Sequence, residues 1–237
     1  MKTIKTAIFL LVCLQSSLVF GQKDTDKSNL SFNFSPSFGA TFANYNNLNT
    51  VLRNNGIKSF GNYHSGIGVR LGVDYKNLSL FANIFRSFGI EESGNNFVNY
   101  TDIVTTDIGL EYKMNLTKKH NVQLSVYGAV GQLFSNVELS KQVNTTNFNN
   151  TISQTGNLLV IDNISNYLSG GLGLYYIGND FVKYNIKVGY RLNESQPWLL
   201  STLENEIPSS PRDNLSGVVL GFGVNFNFSI FSNSNKE

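Results

Sequence analysis

Cysteine, histidine, proline and charge are all scarce in this 237-residue chain, which has one Cys, two His, four Pro and 14% charged residues. A lone Cys cannot found a disulfide framework, and with two His it cannot assemble a structural zinc cluster. So little charge at a mean hydropathy near zero excludes a disordered acidic or basic tail protein and argues against an ordinary cytosolic enzyme. Lys and Arg number 18 against 16 Asp and Glu, without the clustered excess that nucleic acid demands. After the first twenty residues no apolar run reaches 18, so no transmembrane helix is expected. What the chain does have is 33 Asn, 21 Gly and 41% hydrophobic residues, with aromatics making up 13% of the whole.

The N-terminus reads as a targeting signal. Lys2 and Lys5 precede the apolar stretch Ala7 to Leu14, a second run covers Leu18 to Phe20, and Gly21 offers a small residue at the exit. A basic start and an apolar core too short to span a bilayer describe a secretory signal peptide, 1–21, cleaved after Gly21. Cys13 follows Val12 rather than the small residue that lipid attachment requires, which argues against a lipoprotein. Removing 21 of 237 residues leaves 216, takes Lys2, Lys5 and Cys13 away, and balances 16 basic against 16 acidic groups. Residues 22–29 then form a polar N-terminal segment.

From there on the pattern has a period of two, which puts alternate side chains on opposite faces of a strand. In the last segment Val218, Leu220, Phe222, Val224, Phe226 and Phe228 interleave with a face mostly of Gly and Asn. Phe181 to Arg191 does the same, with Val182, Tyr184, Ile186, Val188 and Tyr190 on the apolar side. Such segments occur at about 30–43, 63–76, 78–88, 99–116, 120–135, 166–177, 181–192 and 214–231. Tight connections at 76–77, 117–119 and 178–180 alternate with long ones at 44–62, 89–98, 136–165 and 193–213. Short turns at one end, long loops at the other and an even strand number predict an all-β fold: an eight-stranded antiparallel up-and-down transmembrane β-barrel over 30–231, both termini periplasmic, with a tail at 232–237.

Strand length agrees, because about 9–11 tilted residues cross a bilayer and sandwich strands are shorter. Ile108, Leu110, Tyr112, Val122, Leu124, Val126, Leu172 and Leu174 would then face lipid, with Tyr112, Tyr176, Tyr184, Tyr190, Phe222 and Phe228 in aromatic girdles. Pro36, inside the first segment of a barrel without edges, predicts a bulge or a late strand start. In the third segment Leu80, Ala82 and Ile84 compete with Phe81 and Phe85 for the outer face. A ten-stranded version with 137–143 and 157–161 as an extra hairpin stays open, although both stretches read better as extensions of their neighbours.

The opposite face carries Arg70, Asp74, Asp107, Glu111, Lys113, Lys183, Lys187 and Arg191. An eight-stranded lumen has room only for its own side chains, so these charges are expected to pair into a buried polar network that plugs it. A proton or ion pathway through the same charges is the competing reading.

Leu48, Val51 and Leu52 recur at helical spacing in the first long loop, with Asn46 and Asn47 as caps and Asn55-Gly56 as a stop, which predicts a short helix over the mouth. The 136–165 loop contains the uncharged run Thr145 to Thr151, and the last long loop holds Trp198, which reads as an interfacial anchor ahead of the alternative, a contact point. Catalysis would need a nucleophile beside His64 or His120. Ser65 adjoins His64, but neighbours on a strand point to opposite faces, and His120 follows Lys118 and Lys119 in a tight turn. Gly170, Gly171 and Gly173 lie in an alternating strand, so they form no phosphate loop, and no cofactor or metal site is expected.

The exit Phe20-Gly21-Gln22, the Asn-rich loops, the segment Leu48 to Phe60 leading into Gly66-Ile67-Gly68-Val69, and the final strand Gly221 to Phe226 resemble the outer-membrane β-barrel family widespread in Bacteroidota, of which PorT is one relative, and more distantly the small OmpA/OmpX-type barrels. The likeness implies an outer-membrane location and carries over no catalytic or binding residues. It departs at the end, where Ser232 to Glu237 continue past Phe231. Expected partners are outer-membrane lipid and an extracellular or envelope protein reached through loops 44–62 and 136–165. The alternatives are an accessory of a secretion, uptake or assembly complex and a soluble lipocalin-like periplasmic barrel, in which the large apolar residues would face inward.

Overall fold

The computed structural model describes residues 30–94, 97–117, 121–141, 158–179, 181–201 and 210–229. The expected signal, the polar segment 22–29, His120, Thr145 to Thr151 and the tail lie outside the described residues.

Period-two sequence has become strand throughout. The elements are β1 (Leu30–Phe42), α1 (Asn46–Asn54), β2 (Tyr63–Tyr75), β3 (Leu78–Ser87), β4 (Ile90–Gly94), β5 (Phe97–Asn115), β6 (Val122–Lys141), β7 (Leu158–Ile177), β8 (Val182–Asn193), the two-residue strands β9 (Gln196–Pro197), β10 (Leu199–Leu200) and β11 (Arg212–Asp213), and β12 (Gly217–Ser229). Antiparallel neighbours run β7-β6-β5-β3-β2-β1-β12-β8, and β8 pairs back onto β7. Eight strands therefore close into a ring with no free edge.

Side chains alternate across the wall as the pleat requires. Ile67, Ile84, Ile108, Val126, Leu172, Ile186 and Phe222 are exposed on the outside, while Arg70, Glu111, Lys113, Asn185 and Asn225 are buried inside. In β3, Leu80 and Ile84 point out and Phe81 in, which settles the ambiguous segment. Outward Tyr176, Tyr184 and Phe228 gather at the tight-turn end, whereas Tyr63, Phe42 and Tyr190 lie toward the long-loop end. A soluble monomer rarely exposes an apolar patch above a few hundred Å², and here the exposed apolar face runs round the whole cylinder.

Several expectations need correction. Pro36 causes neither a bulge nor a late start. Phe34 pairs with Phe226 and Ser37 with Gly223, so the register with β12 is kept, and only the rungs at Ser35 and Pro36 are missing. A Cβ built on Gly223 would lie 3.2 Å from the Pro36 carbonyl, so the side of Pro36 that lacks an N–H faces β12, while pairing with β2 stays continuous. The 89–98 connection is largely strand: β4 resumes after β3 and pairs with β5. Residues 137–141 and 158–161 add no extra hairpin but lengthen β6 and β7 to 20 residues each. The 193–213 connection is not all loop either, since β10 pairs with β7 and β11 with β9.

Long β5, β6 and β7 carry the wall beyond the apolar band on one side. There the inner face turns apolar, and Ile103, Leu133, Val137, Leu139 and Ile161 join Tyr45, Leu48, Leu52, Phe60, Trp198 and Leu215 in one buried cluster. The barrel thus has two storeys: polar within the apolar band, and greasy above it.

Candidate functional site: a charged lumen under an aromatic cap

Glu111 is the hub of the lower storey. It is fully buried on β5, where its carboxylate accepts from Arg70, from Ser125 Oγ at 2.7 Å and from Tyr175 OH at 2.9 Å, with Lys187 Nζ 3.1 Å away. Two strands over, on β2, Asp74 takes Lys113 Nζ at 2.8 Å and Asn33 Nδ2 at 2.8 Å. Aromatic faces complete the packing: the Arg70 guanidinium lies 3.6 Å over the Phe81 ring, and Lys187 sits 5.4 Å from the ring centre of Tyr175 and 5.5 Å from that of Tyr127.

The structure brings Arg70, Asp74, Glu111, Lys113 and Lys187 together in this way. Asp107 stands higher and accepts from Tyr167 OH at 2.7 Å and Asn83 Nδ2 at 3.2 Å, and among the described residues no cation pairs with it. Arg191 is nearest the cap and donates to Asn193 Oδ1 at 3.0 Å and the Leu215 carbonyl at 3.1 Å. Lys183 is half-buried at the tight-turn end of β8.

The lid is built from sequence that returns to the mouth. The α1 helix presents Leu48 and Leu52 to the cluster, one turn apart, and leaves Val51 exposed. Asn46 and Asn47 are not its caps, because both lie within the helix. Its open N–H groups are met by Asn44 Oδ1, which takes Asn46 N at 3.0 Å, and by Asp213, which takes Asn47 N at 2.9 Å and Leu48 N at 3.0 Å. A carboxylate at that end also suits the helix dipole. The stop is as read: the helix ends at Asn54 and Gly56 adopts a φ of 72°.

Trp198 is no interfacial anchor. It is completely buried in the cap, its Nε1 donates to Asp213 at 2.9 Å, and its ring lies 6.1 Å from that of Tyr45. Asp213 therefore ties the last long loop to the first. Tyr45, whose hydroxyl lies 3.1 Å from Ser135 Oγ, is also fully buried, and burial pushes its phenol up to about 12. Sequence reasoning missed Tyr45 and Asp213. An acid capping a helix 165 residues away leaves no local signal, and Tyr45 sits in a polar Asn-rich run. His64 faces the cap interior 5.6 Å from the Tyr45 ring, and neither ring nitrogen has a hydrogen-bond partner among the described residues. Ser65 is on the opposite face, so the two form no nucleophile and base pair.

Searches against known families and against curated proteins find no match. Solved structures do match. A major outer membrane protein from Thermus thermophilus superposes with a TM-score of 0.51 at 12% identity, over 83% of this chain and 99% of that one. The fold is that of the small outer-membrane β-barrels. Outer membrane protein OprG from Pseudomonas aeruginosa (TM-score 0.47, 13% identity, 85% of this chain and 97% of that one) and the attachment invasion locus protein Ail of Yersinia pestis (0.46, 11%, 86% and 100%) are further matches of the same kind.

Proposed function

We propose that this chain is a non-enzymatic integral outer-membrane barrel, plugged by its own side chains, that serves the envelope structurally and presents its long-loop end to a protein, surface or glycan partner. In this reading 1–21 is a signal peptide removed on export, both termini are periplasmic, and loops 44–62 and 136–165 face outward. The kinship with Bacteroidota PorT-like barrels belongs to the same proposal. One observation carries it: the exposed face is apolar right round the ring, while Arg70, Glu111, Lys113 and Asp74 are sealed and paired inside. Lipid is the solvent that suits the first, and a closed lumen is the consequence of the second.

A lipocalin-like arrangement is disfavoured by the same geometry, because its ligand cavity would need the large apolar side chains within. Reconstitution into planar bilayers tests the plug. The expected result is no stable stepwise conductance, and steady unitary steps would sink it. Carbonate washing tests the location: the protein should stay with the membrane pellet.

A further inference from the structure

Between the ionic hub and the cap lies a cavity of about 130 Å³. Its wall includes three cations, Arg70, Lys187 and Arg191, and a single carboxylate, Asp107. The charges are unevenly answered. Arg70 and Lys187 share Glu111, and Asp107 is bonded to the neutral Tyr167 and Asn83. Arg191, 2% exposed, bonds only neutral oxygens, and among the described residues no carboxylate lies within salt-bridge range of it. A buried cation without a counter-charge is costly, and its desolvation is relieved by an anion at short range.

Two further groups on this wall have unused hydrogen-bonding capacity. Arg70 Nε and Thr41 Oγ1 are buried without a partner among the described residues. A water needs about 10–15 Å³ of such space, so the volume takes a small ion with some of its water and excludes bulky solutes. We propose that this cavity binds a small monovalent anion, a halide or a short carboxylate, held by Arg191 with Lys187, Arg70 and the Thr41 hydroxyl. The site is a property of the lumen and stands whether or not the loops bind a partner.

The test uses the full chain folded in detergent. Unfolding midpoints are followed in sodium bromide, sodium acetate and sodium gluconate at matched ionic strength, for wild type and for Arg191→Met. Bromide or acetate should raise the wild-type midpoint saturably by about 5 °C over gluconate, and the rise should vanish in the variant. Equal midpoints in all three salts, or a rise of the same size in Arg191→Met, would overturn the proposal. Should the variant fail to fold, diffraction from wild-type crystals grown in bromide and in acetate decides: an anomalous bromide peak or acetate density beside Arg191 inside the barrel supports the site, and a lumen holding neither refutes it. Which of the two salts acts separates halide from carboxylate.

Discussion

Removing the Glu111 side chain is the sharpest challenge to the internal network. Glu111→Ala takes away the acceptor shared by Arg70, Lys187, Ser125 and Tyr175, and the site is fully buried, so solvent does not screen the loss. Breaking a buried ion pair by deleting one partner costs about 3–5 kcal/mol, because the survivor stays desolvated and uncompensated. Here two cations are stranded, yet Lys187 can lean on Tyr127 and Arg70 on Phe81, so the loss should fall near ~4 kcal/mol rather than double. Glu111→Gln keeps the shape but not the charge and should lie between. Arg70→Met combined with Glu111→Leu removes opposite charges together and should recover at least half of the loss. Urea unfolding in detergent micelles, followed by circular dichroism, measures all four proteins. A Glu111→Ala barrel within about 1 kcal/mol of wild type would show that this network does not hold the lumen, and the reasoning would fail.

Other expectations concern the cap, the wall and the close contacts. Asp213→Ala loses three acceptor contacts and should loosen the lid by about 2–3 kcal/mol, shifting Trp198 emission to the red and admitting acrylamide while the strand signal persists. Leu172→Arg on the outer face should cost about 2–4 kcal/mol in lipid and little if that face met water, which insertion into vesicles checks. Gly189→Ala would bring a Cβ to 2.1 Å from the Tyr127 hydroxyl and 2.8 Å from the Gly170 carbonyl, whereas a Cβ on Gly221 meets nothing within 4 Å. The first should therefore slow folding and lower stability, and Gly221→Ala should not. Because the folded phenol of Tyr45 titrates at about 12 and an unfolded one near 10, its contribution is complete below pH 10 and lost as pH rises toward 12. Trp198 fluorescence should report lid opening in that window, and Tyr45→Phe should flatten the response.

Much of the cylinder was legible because its cause is local. Each residue on a strand states its face by its parity, and a run such as Val218 to Phe228 repeats that statement six times. Turn lengths then order the strands. Pairing within the lumen was only partly legible: sequence places Glu111 and Arg70 on the inner face, but their meeting depends on the stagger between β2, β3 and β5 that brings Arg70 opposite Asn83 and Asn83 opposite Asp107. The cap was harder still. Leu48 and Leu52 announced a helix, yet Trp198 on its own could suit either a membrane interface or a core, and its bond to Asp213 is a contact between two stretches of low periodicity. Pro36 misled for a related reason, since a missing donor constrains one neighbour only, and sequence does not say which.

That missing donor falls where the first strand meets the last. Joining Phe34 to Phe226 brings together parts of the chain nearly its whole length apart, the most demanding closure in the molecule. The same junction is short of two rungs, at Ser35 and Pro36, so the zip that completes the cylinder carries a gap in mid-ladder. Under stress the ring should part there first, and amide hydrogens flanking the gap should exchange ahead of those in any other ladder.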